Sequence, residues 1–194
     1  TKSDKPDEPA MTAMGKQNLL DAVAQGKGFI GSHCASDTFH SVGDRAKVQA
    51  MPDPYIAMVG GEFIRHGQQQ SARMRVTSPA FPGVSAAGEG FDLHEEWYSL
   101  KNFADDMHVI LVQETQGMKD KDYERPPYPA TWARRHHEGR VFYTSMGHRE
   151  DVWVHPIFES ILMGGIGWAL GQFDAEIPVN IKEVTPEAST MPIL

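Results

Sequence analysis

The sequence predicts an α/β sandwich around a mixed sheet, and three observations carry that expectation. Short apolar runs such as Phe29-Ile30-Gly31 and Val109-Ile110-Leu111-Val112 read as strands buried on both faces. Apolar residues at helical spacing mark two longer segments, over 11–28 and 156–171. Reactive side chains gather just after predicted strands, where α/β proteins build their sites.

In chain order, "TKSDKPDEP" is charged, holds proline and lacks an apolar face, so residues 1–10 are expected to be a flexible entry. Met14, Leu19, Leu20, Val23 and Ala24 then define a helix, with Gly26 and Gly28 as stop signals. A short strand follows near 28–31 and runs into "GSHCASDTFH". "PYIAMVGGEFIRH", Pro54 to His66, reads as a helix weakened by Gly60-Gly61. Strands are expected near 71–77 and 107–114, the first ended by Pro79 and Pro82. A hairpin turning near Glu138-Gly139 supplies strands near 130–136 and 140–146. "PIFESILMGGIGWALG" is the last helix, capped by Gly171, and 172–194 reads as an extended tail. Open α/β folds begin with a strand that becomes central, whereas this chain begins with a tail and a helix. A missing N-terminal portion is therefore expected.

Composition narrows the partners. The net charge is −8 and no Lys/Arg cluster stands out, which argues against a nucleic-acid surface. The longest apolar stretch, Ile157 to Gly171, is 15 residues and contains Glu159, short of the roughly 20 a membrane span needs. The single cysteine, Cys34, excludes an internal disulfide and a Cys-based zinc site. With the start expected to be missing, cytoplasm and periplasm both remain open.

Four segments concentrate candidate chemistry. In "GSHCASDTFH", His33 directly follows a strand, and Asp37 either caps a turn or orients a histidine. "GGEFIRHG" ends in His66, which a helix C-terminus would also favour. In "DLHEEWYS", neighbouring strand residues face opposite sides, so only one of Glu95 and Glu96 can enter a pocket. Trp97 and Tyr98 beside that carboxylate suit stacking on a sugar. "TSMGHRED" places His148 and Glu150 after a strand, able to position a general base or a metal ligand. Cys34 would need a base such as His33 or His148 to act as nucleophile, and the same imidazoles with one carboxylate would suit zinc.

Together and in order, "GFIGSHCASDTFH", "GGEFIRHG", "EEWYS" and "VFYTSMGHREDVW" resemble the ThuA-like family, named for trehalose utilisation, over about residues 15–171. The resemblance implies a flavodoxin-like three-layer sandwich with a mostly parallel central sheet, similar to class I glutamine amidotransferases. In those enzymes a strand ends in an elbow that carries a cysteine nucleophile. Laying "FIGSHCA" over the elbow puts His33 at the nucleophile position and Cys34 in a slot usually filled by a small residue. "GHRE" overlies the amidotransferase His/Glu segment, matching His148 and Glu150. Amidotransferase chemistry is therefore not expected.

The expectation is a carbohydrate-related enzyme spanning 11–171 and acting on a sugar or keto-sugar derivative. Its catalytic set is His33, His148, Glu96 and Asp37, with Trp97, Tyr98 and Glu150 contacting substrate. His33, His66 and His148 are the set for a divalent metal such as zinc. The alternative is a non-catalytic sugar-binding or interaction module in which the Trp97-Tyr98 pair matters most. A homodimer built on the Met-bearing last helix is a further expectation, although burial within one chain explains that helix equally well.

Overall fold

The computed structural model describes residues 11–192, so the expected flexible entry over 1–10 lies outside the described residues. Helix α1 (Ala13–Ala24) starts where the Thr12 hydroxyl accepts from the Gly15 amide, and it buries Leu20 and Val23. Strand β1 (Phe29–Ser32) then runs into a 3₁₀ turn over His33–Asp37. Helix α2 (Pro54–Val59) is capped at its start by Asp53, whose carboxylate accepts from the Tyr55 amide. It ends at Gly60, which takes the left-handed φ of 95°.

The helix expected over Pro54 to His66 therefore stops halfway. Beyond Gly60 the chain turns into strand β2 (Glu62–His66). The two glycines are needed because Trp132 leans on them: a Cβ at Gly61 would lie 2.8 Å from its ring.

Strands β3 (Gln70–Val76) and β4 (Gly90–Glu95) follow, then β5 (Tyr98–Lys101) and β6 (His108–Gln113). Strands β7 (Tyr128–His136) and β8 (Gly139–Thr144) form the expected hairpin. The chain closes with α3 (Glu150–Trp153), α4 (Pro156–Ala169) and α5 (Ile181–Val184). The expected extended tail thus contains one helical turn, anchored by the buried Ile181.

Six strands form one sheet in the order β1-β8-β7-β6-β3-β4, and β2 and β5 form a separate antiparallel ribbon. The mostly parallel sheet is not found. Among the described residues, β1 and β8 are the one parallel pair, with Phe29 beside Val141 and Ser32 beside Thr144. The β8–β7, β7–β6, β6–β3 and β3–β4 pairs are all antiparallel. Connectivity explains this: a parallel neighbour needs a long crossover, whereas β7 and β8 are joined by a tight turn at His137-Glu138. The sheet is mixed, as the strand pattern alone predicts.

Apolar residues pack on both sheet faces. Val141 and Tyr143 join Leu20, Ile56 and Val59 from α1 and α2, while Phe142 between them joins Phe158, Ile161 and Trp168 from α4. No helix among the described residues is long and apolar enough to cross a membrane.

Candidate active site

Four chain segments meet beyond the ends of β1 and β8. His33 leaves β1 with a left-handed φ of 43°, a conformation that costs energy in a non-glycine residue and is typical of functional turns. Its carbonyl is held by two hydroxyls, accepting from Tyr143 at 2.9 Å and from Ser36 at 3.2 Å. The imidazole is buried and packs at a tilt against Tyr98, the ring centroids 3.8 Å apart. Its Nε2 lies 3.1 Å from the Glu96 carbonyl oxygen, which can only accept, so Nε2 carries the ring proton. Burial lowers the His33 pKa to about 4, helped by the nearby His148 and His66, which leaves the ring neutral at neutral pH.

Glu96 lies at the corner between β4, in the large sheet, and β5, in the ribbon. Its carboxylate approaches three imidazoles. Oε1 lies 3.7 Å from His33 Nε2 and 3.5 Å from His148 Nδ1, and Oε2 lies 3.5 Å from His66 Nδ1. His66 reaches this place because β2 pairs with β5, which sets it opposite Tyr98. His148 arrives from the other side on the loop after β8, its ring centroid 5.1 Å from that of His33. An open groove of about 480 Å³, lined by Gln69, His148, Arg149, Glu150 and Asp151, runs past this cluster.

His33, Glu96 and His148 each offer a ligand atom, all within 4.8 Å of one another. Two imidazoles and a carboxylate are a donor set found in catalytic zinc sites, and neutral His33 suits it. A zinc ion would have to draw these atoms closer, since ligands at about 2.0–2.2 Å leave neighbouring donors only about 3.5 Å apart. His33 would also exchange its bond to the Glu96 carbonyl for the metal if it ligated through Nε2.

The other expected residues are placed differently. Asp37 does not meet His33; it lies 2.6 Å from His40 Nε2, whose other nitrogen is 3.1 Å from Glu62. Trp97 is fully buried in the core and its indole N–H donates to the Gln70 carbonyl, so no ring face is open to a ligand. Tyr98 belongs to the cluster through its ring contacts, tilted against His33 and stacked on His66. Glu150 borders the groove at the start of α3, outside the imidazole cluster. Cys34 is exposed beside His33.

The sequence profile of the family described as "ThuA: Trehalose utilisation" matches residues 5–169. The chain belongs to the ThuA family. Among solved structures, a ThuA-like protein from Parabacteroides merdae ATCC 43184 superposes with a TM-score of 0.61 at 16% identity, covering 97% of this chain and 75% of the other. A ThuA-like protein from Bacteroides uniformis ATCC 8492 gives 0.64 at 18% identity, covering 87% and 68%. At these identities the likeness is one of fold. No protein of curated function matches the chain.

Two residues of this ThuA-family chain matter to the cluster beyond those expected. Tyr143 fixes the His33 backbone, and it lies within the "FYT" run that carries the family resemblance. Glu95 turns inward and is fully buried, while Glu96 faces the imidazoles. The period of a strand foretold that the two would part, but not which of them would face the site.

Proposed function

We propose that this ThuA-family protein is an enzyme that moves protons on a sugar or keto-sugar derivative at the His33–Glu96–His148 cluster. The observation that carries this reading is the convergence of three imidazoles on one carboxylate beside an open polar groove. A carboxylate within reach of imidazoles can take a proton from a carbon next to a carbonyl, or from a hydroxyl, and return it elsewhere. Glu96 would be the acid–base group, with His148 and His66 at the solvent side relaying protons to it. His33, neutral and buried, would hold the Glu96 corner in place. Tyr98 would form the floor, and Gln69 and Glu150 in the groove offer hydrogen bonds suited to sugar hydroxyls. The Asp37 role consistent with its contacts is to hold His40 rather than to act on substrate.

A second reading is favoured by one observation, the grouping of the His33, Glu96 and His148 ligand atoms within 4.8 Å. Here those residues would hold a divalent cation such as zinc, which would supply Lewis acidity to a bound carbonyl or hydroxyl. His66, outside that grouping, would face it across Glu96.

Turnover on a panel of glycosides and keto-glycosides, with and without added zinc, tests both readings. Replacement of Glu96 by Gln or of His148 by Ala is expected to cut kcat/KM by about 100-fold or more. A requirement for zinc would select the second reading. Ligand affinity that survives these substitutions, with no turnover of any sugar, would instead favour a binding module.

A further inference from the structure

We infer that Glu95 is a positioning residue, which sets the distance between Glu96 and His148 by holding the main chain of both through one carboxylate. Its side chain is fully buried, and four backbone amides donate to it. Oε1 accepts from the Glu96 amide at 2.8 Å and the Arg149 amide at 3.1 Å. Oε2 accepts from the Gly147 amide at 2.9 Å and the His148 amide at 3.0 Å. Three consecutive amides turned towards one point form a concavity that binds anions, and here the anion is a side chain of the protein itself. Bonds of this charge-assisted kind are short and strong.

The loop that presents these amides is itself tightly constrained. Gly147 has a left-handed φ of 110°, and a Cβ there would lie 2.5 Å from the Ser32 hydroxyl. Ser32 in turn donates to the Met146 carbonyl at 2.8 Å, tying the loop to the end of β1 just before His33. The Glu96 and His148 amides are bonded to the two oxygens of one group, while their side chains meet 3.5 Å apart. A shift in Glu95 is therefore a shift in that contact. The inference rests on the proposed site only for its purpose, because the geometry exists whether or not the cluster is catalytic.

Glu95→Gln is the discriminating variant. It keeps the shape but replaces one acceptor oxygen with an NH₂ group, so two of the four amides would face a donor. On the full chain, NMR should show two changes. The Gly147, His148 and Arg149 amides should exchange with solvent about 10-fold or more faster than in the unmodified protein. The His148 ring nitrogens should also move, while Gly164→Ala, a destabilising change in α4, should leave them in place. Ring signals of His148 unmoved in Glu95→Gln would overturn the inference. Should Glu95→Gln fail to fold, the unmodified protein decides: the three amides, on a loop at the surface, should exchange about 100-fold or more slower than in a free peptide. Exchange at the free rate would overturn the inference. None of these readouts needs a substrate, so loss of the catalytic reading and loss of this one are told apart.

Discussion

Glu62 shows what a single buried residue contributes. It is fully buried on β2 and accepts from the Ser41 amide at 3.0 Å, the Ser41 hydroxyl at 2.6 Å and Asn102 at 2.6 Å, with His40 Nδ1 3.1 Å away. Burial pushes its carboxyl pKa up, but the bonds from His40, Ser41 and Asn102 outweigh that and hold it at about 2, against 4.5 unperturbed. Since the folded value lies below the unfolded one, this stabilisation is present above pH 4.5 and is lost as pH falls towards about 2. At about 1.4 kcal/mol per pKa unit, roughly 3 kcal/mol is involved. Urea unfolding should show the parent protein losing stability steeply over that window, with a much flatter profile for Glu62→Gln, which starts less stable at pH 6. Parallel profiles would rule this account out. At the same scale, His33, Glu96, His66 and His148 were legible in the sequence because polar residues stood out after apolar runs. The contacts of Asp37 and Trp97 were not legible. A carboxylate four residues from His33 can reach His40 equally well, and an aromatic beside Glu96 can turn either into the core or towards the site.

Helix α4 is the element whose place is most tightly fixed. A Cβ at Gly164 would lie 1.9 Å from the Pro82 carbonyl oxygen, and one at Gly165 would lie 2.6 Å from the Phe142 ring. These glycines let the helix backbone touch both the loop after β3 and the face of β8. Gly164→Ala should therefore cost about 1–3 kcal/mol, read as a lowered Tm, although alanine is the better helix former. A raised Tm would contradict the close packing. Among the elements, α1, α4, β1, β3, β6 and the β7–β8 hairpin followed from periodicity and turn residues. The ribbon of β2 and β5 did not. Glu62 and Lys101 are polar yet buried within it, and its register shifts between Phe63 and Arg65, so neither strand shows clean alternation. That ribbon is what brings His66 to the site.

For the molecule as a whole, the segment over 178–192 is tied to β6 and, through Arg125, to β5. Asn180 bonds the Val109 amide and carbonyl at 2.6 and 3.1 Å, and His108 bonds the Pro178 carbonyl at 2.7 Å. Arg125 is buried and donates to the Ser99 hydroxyl, the Leu100 carbonyl and the Ala188 carbonyl, with Tyr128 under its guanidinium. One side chain thus joins β5 to the C-terminal segment. Arg125→Met should free that segment, so that limited proteolysis cuts within 178–192 about 10-fold faster while the rest of the chain stays folded. Unchanged cleavage would show that the other bonds suffice. Mixed α/β architecture was readable from the alternation of apolar runs and helical stripes. Strand direction was not, because it depends on which connections are tight turns and which are crossovers. The family resemblance foretold a mostly parallel sheet, and the hairpins outweighed it.

All three scales converge on the Glu96 carboxylate, held by Glu95 through its own backbone and surrounded by imidazoles from three segments. The most direct measurement is the turnover of Glu96→Gln, relative to the parent protein, on whichever glycoside or keto-glycoside the parent consumes. A fall in kcat/KM of about 100-fold or more, with Tm within a few degrees of the parent, is the expected result. Turnover within twofold of the parent would contradict Glu96 as the group that moves the proton.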